Sequence, residues 1–488
     1  MTSTAARLPW PAHGVCSGMP ARVTDALFAH ARARPDALAV VDGETRLDWR
    51  SLASLVESAA RSLRSGGLLD GDRVALRAND GAAALVALLA VLHAGGVHVP
   101  VDHTLAEPEV RALIATLRTR WSIDLDRSAV PGVIGFVATG LPGIADPLGS
   151  GASAFMRQSS GTTGVAKGVL LSHATILERI VAANQVLRLG PDDRVMWLLP
   201  MAYHLAVSIL LYIHHGTAII FANHMRASVT ARIARAESVT FGYASPYHVR
   251  QLARLPPGED LPASLTRMVS TTTALDATAA ADFRARHGIP VCQALGIIEV
   301  GLPFVSPGDA GEVPGELGSP VSGYQVAIRD ADGMDCLPGA CGELSIAGPG
   351  LFDAYVEPWR PRSEVLDRGF FRTGDLAARD DQGRVRLLGR CKDLINVGGV
   401  KVFPLEVETV LDAHPDVVAS RVQSRLDPRT GEQVHADVEL AAGVDHALAR
   451  SALERWCAER LAPLKRPAGF TFGTALARTP SGKVKRDG

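Results

Sequence analysis

Short apolar runs with β-strand character alternate with helical segments through the first 300 or so residues of the chain. In one series, "LAVV", "DRVALRA" and "VHVPV" are separated by segments of helical periodicity at residues 51–65 and 82–93. A second series begins at "RVMWLLP" and ends at "IPVCQA". This alternation is typical of βαβ units, and it predicts two α/β subdomains with largely parallel sheets.

The pattern of the sequence changes after about Gly301, where Gly- and Pro-rich turns separate β-like segments such as "QVAIRD", "GELSIAG" and "RVRLLG". These predict a small β-barrel-like or antiparallel subdomain. The segment "GRCKDLI" then leads to a helix start in "FPLEVETVLDAHPDV" and a compact α/β tail. The predicted fold class is α/β, with a large N-terminal domain at residues 1–389, a connection at 390–392 and a small C-terminal domain at 393–488.

Composition limits the partners and the compartment. Lys and Arg number 50 against 51 Asp and Glu, so the formal charge of -1 favours neither nucleic acid nor an anionic membrane. The six cysteines form no C-x-x-C pair, which argues against a zinc site or a disulfide framework. The first residues do not have the pattern of a signal peptide, and "AAALVALLAVLHAGG" and "LAVSILLYIHHG" are predicted to be buried helices rather than membrane spans. We therefore expect a cytoplasmic protein.

The segment "SSGTTGVAKG", residues 159–168, combines glycines, hydroxyl residues and one lysine. Such a loop lets backbone N–H groups approach a ligand and suits a polyphosphate. It is not a P-loop, because Ala166 replaces the second glycine and Gly168 follows Lys167. The next residues resemble a strand, and Ser172 is predicted to cap the helix that follows. We predict a phosphate-binding loop between two strands, with a flexible hydrophilic turn as the alternative.

Two further segments follow predicted strands, where ligands bind in open α/β sheets. They are "STTTAL" after "LTRMV" and "LGIIE" after "PVCQA". Glu299 ends the second segment in an apolar patch, where a carboxylate is costly without a partner such as a metal or a lysine. Mg²⁺ that bridges phosphates is the natural partner beside a phosphate loop. A solvated surface glutamate is the alternative.

Five motifs, in order, resemble those of the adenylate-forming superfamily of acyl-CoA synthetases, aryl acid ligases, peptide-synthetase adenylation domains and luciferases. The glycine-rich loop is similar to its phosphate loop, "LGIIE" to its Y-G-x-T-E segment and "FRTGD" to its ribose-binding motif. "GRCKDLINVGGVKVFPLEVE" resembles the hinge motif, and "RTPSGKVKR" the C-terminal lysine motif. The match runs from about residue 24 to the end, and it implies a ligase that uses ATP and Mg²⁺.

The resemblance also implies roles for single residues. Lys483 would bridge the substrate carboxylate and the α-phosphate, and Glu299 would hold Mg²⁺ with Thr163. Asp375 would accept the ribose hydroxyls, with Arg390 nearby. The implied ATP-binding set is Ser160, Gly161, Thr162, Gly164, Lys167, Thr272, Leu295, Gly296, Asp375 and Arg390. For Lys483, a flexible lysine of the chain end is the alternative.

In this superfamily the C-terminal domain is a mobile lid, which rotates after adenylation and presents another face for transfer to a thiol. The resemblance places Lys392 at the hinge, and Gly398 and Gly399 along a tunnel for the pantetheine of CoA or of a carrier protein. Glycine would let a ligand chain pass close to the backbone there. A rigid glycine-rich turn is the alternative for the two glycines.

The chain also departs from the family pattern. Leu295 stands where an aromatic residue usually lies near adenine, and Ile298 replaces the threonine before the glutamate. These changes remove a stacking face and a phosphate-binding hydroxyl. "STTTAL" places threonines 271–273 where small glycines are usual, and Ala166 replaces a proline. We expect a narrower or more polar site.

The segment "PMAYHLAVS" lacks the aspartate with which α-amino-acid-activating relatives bind the substrate amine. A carboxylic acid without an α-ammonium group is therefore favoured. The predicted acid pocket consists of Tyr203, His204, Phe241, Tyr243 and Thr271. Its polar groups suit an aromatic or functionalised acid better than a long alkyl chain. For His204, a satisfied core histidine is the alternative.

The predicted activity is that of an AMP-forming ligase, which forms an acyl-adenylate and transfers the acyl group to the thiol of CoA or of a carrier protein. Three other classes stay open. They are a luciferase-like oxygenase, a diazotase-like enzyme that activates a small group such as nitrite, and a non-catalytic binding protein. Acid-dependent release of pyrophosphate separates the last class from the enzymes.

Overall fold

The computed structural model describes residues 22–126, 128–159, 167–222, 224, 226–275, 277–306, 315–473, 475–478 and 484. The strands are β1 (Leu38–Asp42), β2 (Thr45–Asp48), β3 (Arg73–Ala78), β4 (Val97–Asp102), β5 (Trp121–Leu125), β6 (Phe136–Ala138), β7 (Ser153–Ser159), β8 (Lys167–Ser172), β9 (Arg194–Trp197), β10 (Ala218–Phe221), β11 (Phe241–Ala244), β12 (Arg267–Ser270), β13 (Val291–Ile297), β14 (Gly301–Val305), β15 (Glu316–Gly318), β16 (Gln325–Arg329), β17 (Cys341–Ala347), β18 (Ala354–Val356), β19 (Arg360–Pro361), β20 (Phe371–Arg379), β21 (Val385–Arg390), β22 (Ile395–Val397), β23 (Val400–Val402), β24 (Val417–Asp427), β25 (Gly431–Leu440) and β26 (Gly469–Gly473). The α-helices are α1 (Asp25–Ala33), α2 (Trp49–Ser65), α3 (Ala82–His93), α4 (Glu107–Leu117), α5 (His173–Leu187), α6 (Leu210–His215), α7 (Ala227–Ala236), α8 (Pro246–Ala253), α9 (Ala277–His287), α10 (Arg362–Val365), α11 (Pro404–Asp412) and α12 (His446–Arg460).

Two eight-stranded sheets form the body of the N-terminal part. One has the strand order β19-β18-β8-β7-β4-β3-β5-β6, and the other has the order β14-β13-β12-β11-β9-β10-β1-β2. In the second sheet, the strands from β13 to β1 are all parallel to their neighbours. Their carboxyl ends therefore meet at one edge, where ligands bind in such sheets. The predicted α/β class is confirmed.

The assignment of the first strands to the first α/β series is wrong. β1 pairs in parallel with β10, with Val40 opposite Ile219, so β1 and β2 belong to the second sheet. The strand β18 also belongs to the first sheet, where it pairs with β8, although it lies in the part of the sequence after Gly301 that predicts a separate antiparallel subdomain. Local periodicity identifies a strand, but the sheet that a strand joins depends on contacts between residues far apart in sequence.

The apolar stretch at α3 is buried on all sides, and it packs in the core between the sheets. Its lack of a polar face is typical of a core helix. The second apolar stretch forms a π-helical turn at Leu205–Ile209, followed by α6, and it too is largely buried. Both are therefore buried helical segments, as predicted. Within the described ranges, we find no helix whose length and hydropathy would let it cross a bilayer.

The loop after β7 joins two antiparallel strands, since β7 pairs with β8. At the end of β8 the Ser172 side chain accepts a hydrogen bond from the Thr175 backbone N–H, which caps α5. Both features follow the sequence prediction. Five antiparallel strands in the order β15-β21-β20-β17-β16 form a third sheet.

The C-terminal part has its own sheet, β23-β22-β25-β24, with β26 parallel to β25. Its separate hydrophobic core begins at Ile395 and includes apolar residues of α11 and α12. A 3₁₀ turn at Cys391–Asp393 connects it to β21. Strand pairing thus changes at the predicted connection, and the role of residues 390–392 as a hinge stays a prediction.

Candidate active site

A cavity of about 370 Å³ lies at the carboxyl ends of β11, β12 and β13. The third sheet and the first residues of α11 complete its wall. Nine of the residues proposed from the sequence line it: Tyr203, His204, Tyr243, Thr271, Thr272, Leu295, Gly296, Asp375 and Arg390. A larger cavity of about 720 Å³ lies between the third sheet and the C-terminal part, but none of the proposed residues lines it. The smaller cavity is therefore the candidate site.

Phe241, which the sequence analysis places in the acid pocket, does not line the cavity, and its role there stays a prediction. Its side chain is only 1% exposed and packs against the Arg267 guanidinium at 5.4 Å. Phe241 lies two residues before Tyr243 on β11. It is therefore about 6.6 Å farther than Tyr243 from the carboxyl end of the strand, where the cavity lies. The two side chains share a face of the sheet, but Tyr243 alone reaches the cavity.

Six proposed residues lie outside the described residues: Ser160, Gly161, Thr162, Thr163, Gly164 and Lys483. Besides Phe241, five proposed residues are described but do not line the cavity: Lys167, Glu299, Lys392, Gly398 and Gly399. Lys392 is exposed in the 3₁₀ turn, and Gly398 and Gly399 form the turn between β22 and β23. Both glycines have positive φ, of 56° and 89°, as a two-residue hairpin turn requires. The turn explains the glycines by itself, and their contact with pantetheine stays a prediction.

Asp375 and Arg390 face each other on neighbouring antiparallel strands of the third sheet. The Arg390 Nε lies 2.7 Å from the Asp375 Oδ1, and the carboxylate is buried. Arg390 also donates a hydrogen bond to the Thr373 carbonyl. The ion pair fixes the orientation of an acceptor at the cavity wall, which is what binding of two vicinal hydroxyls needs. The assignment to ribose stays a prediction.

Tyr203 and His204 lie between β9 and the π-helical turn. Burial, with a further contribution from Asp102, raises the pKa of Tyr203 to about 12, so the phenol stays neutral. Burial, reinforced by the Arg157 charge, lowers the pKa of His204 to about 3, so the imidazole is neutral at physiological pH. Within the described chain, the buried His204 Nε2 has no hydrogen-bond partner. His204 therefore lines the cavity with one enclosed ring nitrogen that has no described partner, which a fully satisfied core histidine would not have.

Tyr243 and Thr271 form the adjoining wall. The Tyr243 ring stacks on Trp197 with 6.3 Å between ring centres and 5° between ring planes. Burial raises the pKa of Tyr243 to about 12, against the effect of a hydrogen bond with Thr271. The Thr271 hydroxyl also donates to the Ala294 carbonyl at 3.2 Å. The wall is rigid and combines an aromatic surface with neutral hydroxyls.

Glu299 lies in the turn between β13 and β14 and is 9% exposed, so it is not a solvated surface glutamate. The Tyr355 hydroxyl donates to the Glu299 Oε1 at 3.1 Å. The Lys167 Nζ lies 5.2 Å from the centre of the same Tyr355 ring. Tyr355 therefore connects two proposed residues, and the sequence analysis missed it. The reason is that β18 reaches β8 only through long-range strand pairing.

The Glu299 carboxylate fits a magnesium site that is shared with phosphates. One of its oxygens accepts from Tyr355, and no described residue bonds to the other. Mg²⁺ is usually bound by one or two carboxylates together with substrate phosphates. In the ranges that the structure describes, no group of three or more His, Cys, Asp or Glu side chains could bind a metal ion by itself. Its role as a metal ligand stays a prediction.

Thr272 has a φ of 82°, in the left-handed region that a β-branched residue rarely adopts. The family pattern has a small glycine in this segment, and the threonine keeps the glycine-like backbone at a cost of about 1–3 kcal/mol. We expect Thr272→Gly to raise the free energy of unfolding by about 1 kcal/mol, since glycine relieves the strain but gains chain entropy in the unfolded state. Urea unfolding followed by tryptophan fluorescence measures the change.

Thr273→Gly is the matched control, because Thr273 is not among the non-glycine residues with positive φ. It should lower the free energy of unfolding by a few tenths to about 1 kcal/mol. If Thr272→Gly also destabilises the protein, the threonine is not strained in solution.

The chain matches the model of the AMP-binding enzyme family over residues 27–356, and that of the AMP-binding enzyme C-terminal domain over residues 406–483. It is 29% identical to an indoleacetate–CoA ligase of Aromatoleum aromaticum, with coverage of 94% of this chain and 95% of that protein. It is also 29% identical to a feruloyl-CoA synthase of Amycolatopsis sp., with coverage of 93% and 95%. The crystal structure of ATP-bound MatB from Rhodopseudomonas palustris superposes with a TM-score of 0.77 at 26% identity, with coverage of 95% and 97%.

These matches confirm the resemblance to adenylate-forming enzymes that the five motifs indicated. They also confirm the division into a large N-terminal and a small C-terminal part. The family model alone covers more than half of the chain. The protein belongs to the AMP-binding enzyme family.

Proposed function

We propose that the protein is an AMP-forming ligase that activates a carboxylic acid with ATP and Mg²⁺ and transfers the acyl group to the thiol of CoA. One observation carries the proposal. Residues proposed for the nucleotide, among them Leu295 and Asp375, and residues proposed for the acid, such as Tyr203, come from distant parts of the chain, yet they line one cavity at the carboxyl ends of parallel strands. Adenylation requires that the two substrates meet in such a space.

The reaction joins a carboxylate to the α-phosphate, so two anions must approach each other while pyrophosphate leaves. Positive groups aimed at this point are worth most in a site shielded from water. Asp375 would hold the ribose, and Glu299 would hold Mg²⁺, which neutralises phosphate charge when bound. Lys167 lies at the start of β8, on the side of the phosphate loop. Together these residues would bind the ribose and the phosphates and so orient the nucleotide toward the acid.

The wall formed by Tyr203, His204 and Tyr243 supports an aromatic or functionalised acid. The rings offer apolar faces, and their polar atoms stay neutral at physiological pH because of the pKa values given above. Relatives named for indoleacetate and ferulate are consistent with an acid of this type. The phosphopantetheine thiol of a carrier protein is the alternative acceptor, and the C-terminal lid would serve transfer to either thiol. We also infer a cytoplasmic location, where CoA and ATP are available.

The test is a screen for pyrophosphate and AMP release over arylacetic, cinnamic, benzoic and aliphatic acids, each with and without CoA. Nitrite is included in the panel. We expect release that depends on an aromatic acid, and an acyl-CoA product in the presence of CoA. Absence of acid-dependent AMP formation across the panel would contradict the proposal.

A further inference from the structure

Two arginines that the five motifs do not include line the cavity. Arg157 lies on β7, just before the glycine-rich loop, and Arg179 lies on α5. Arg179 is 1% exposed. Arginine is almost never buried without a partner, because a charge taken out of water is costly. Each of the two guanidinium groups is therefore expected to have hydrogen-bond or ion-pair partners.

Arg157 is only partly satisfied. Its Nη1 donates to the Tyr203 carbonyl at 2.7 Å, and its guanidinium lies 5.8 Å from the centre of the Tyr203 ring. Its Nε is buried and has no hydrogen-bond partner among the residues that the structure describes. Arg157 thus contacts the segment that carries the proposed acid-binding residues Tyr203 and His204, and its Nε donor has no described acceptor.

Arg179 repeats this pattern. Its Nε donates to the Gly350 carbonyl, and its Nη1 donates to the Ile298 carbonyl at 2.7 Å. Its Nη2 is buried, and no described atom accepts from it. Burial lowers the pKa of Arg179 to about 10, so the guanidinium is charged at physiological pH.

No described carboxylate forms an ion pair with either arginine. Glu299 is near enough for its charge to act on both, but it lies beyond ion-pair distance. The neutral His204 Nε2 is a third polar atom on this cavity without a described partner. Three such atoms around one cavity are far from the usual state of buried polar groups, which are nearly always paired. Two guanidinium groups that line the cavity without a described ion-pair partner fit a ligand oxyanion.

We propose that Arg157, with Arg179 and His204, forms an oxyanion subsite within the acid pocket, and that the preferred acid carries a second anionic group besides the carboxylate that is activated. This inference rests on the proposed function and specifies its substrate class. Carboxylate and sulfonate are the groups that fit, because a guanidinium binds planar or tetrahedral oxyanions through several N–H donors. The contact of Arg157 with Tyr203 favours the acid over ATP phosphates as the source of the oxyanion.

The experiment compares matched pairs of acids that differ only in this second group. The probes are 3-phenylpropanoates with a carboxylate at ring position 2, 3 or 4, and the corresponding carboxamides, which have nearly the same shape. We expect kcat/KM for the dicarboxylate to exceed that for the carboxamide about 100-fold for at least one ring position. In Arg157→Met this preference should fall to about 3-fold or less, while Arg157→Lys should keep an intermediate preference.

The ratio is measured within each enzyme, so a loss of folded protein lowers both rates and leaves the ratio unchanged. An unchanged ratio in Arg157→Met would overturn the proposal. A raised KM for ATP with an unchanged ratio would assign the arginines to the ATP phosphates instead. If the wild type shows no preference at any ring position, the proposal is also wrong.

Binding of the second anionic group can be tested independently of the ligase activity. Calorimetric binding of the same six compounds to the full-length protein, in the presence of AMP, reports the preference without turnover. Tighter binding of a dicarboxylate that Arg157→Met abolishes would support the subsite even if no acid were adenylated. Equal binding of each pair would overturn the subsite even in an active ligase.

Discussion

Lys483→Ala is expected to lower acyl-adenylate formation from ATP and acid by about 1000-fold, because two anions then meet without the bridging cation. Thioester formation from a supplied acyl-adenylate should stay close to that of the wild type, since a lid that rotates would carry Lys483 away from the acyl-adenylate. Single-turnover assays of each half-reaction measure the two rates. Lys483 lies outside the described residues, so its role rests on the motif "RTPSGKVKR".

The structure supports a coupling of this motif to the C-terminal part. The Arg478 Nη2 lies 2.8 Å from the Glu439 Oε2 on β25, and the Leu476 backbone N–H donates to the same oxygen. The start of the motif is therefore fixed to the C-terminal sheet and would move with it.

Lys485→Ala is the matched control, since it removes an equal charge two residues away. It should leave both half-reactions within about threefold of the wild type. If both lysine variants behave alike, the motif is a solvated chain end. An equal loss of both half-reactions in Lys483→Ala would contradict a rotating lid.

Glu299→Gln is expected to lower the adenylation rate about 100-fold and to raise the Mg²⁺ concentration needed for half-maximal rate, because an amide is a weaker magnesium ligand than a carboxylate. The amide has nearly the same shape and can keep the hydrogen bond from Tyr355, so the fold should be retained. Initial rates over a range of Mg²⁺ concentrations, at saturating ATP and acid, measure both effects.

Glu237→Gln is the control for this substitution, because the Glu237 carboxylate pairs with Arg46 at the end of α7 and belongs to none of the motifs. Its rate and Mg²⁺ dependence should equal those of the wild type. A normal Mg²⁺ dependence in Glu299→Gln would show that the carboxylate is not a metal ligand.

The sequence predicted those parts of the site that depend on local pattern. Asp375 and Thr272 were identified because each lies in a short motif, and the strand ends that carry Thr271 and Leu295 follow from βαβ periodicity. Such features are readable because the chemistry and the chain geometry are encoded within a few residues. The structure adds the contacts that join these motifs into one cavity.

Other parts could not be predicted because they arise from long-range pairing. Tyr355 reaches Glu299 only because β18 joins the first sheet, and nothing near it in sequence marks a site. In the sequence, Arg157 cannot be distinguished from a solvent-exposed polar residue of a strand. Its contact with Tyr203 appears only in the three-dimensional structure. Phe241 does not line the cavity although it shares a strand face with Tyr243, because alternation gives the face of a strand but not the depth along it.

In the proposed reaction, one carboxylate oxygen of the acid bonds to the α-phosphorus of ATP while the bond from that phosphorus to pyrophosphate breaks. Attack of the thiol on the acyl carbon then breaks the carbon–oxygen bond, and that oxygen leaves with AMP. With an active acid that carries ¹⁸O in both carboxylate oxygens, and with CoA present, mass spectrometry should find one ¹⁸O atom in each AMP formed. Unlabelled AMP, or formation of ADP with labelled phosphate, would contradict the account.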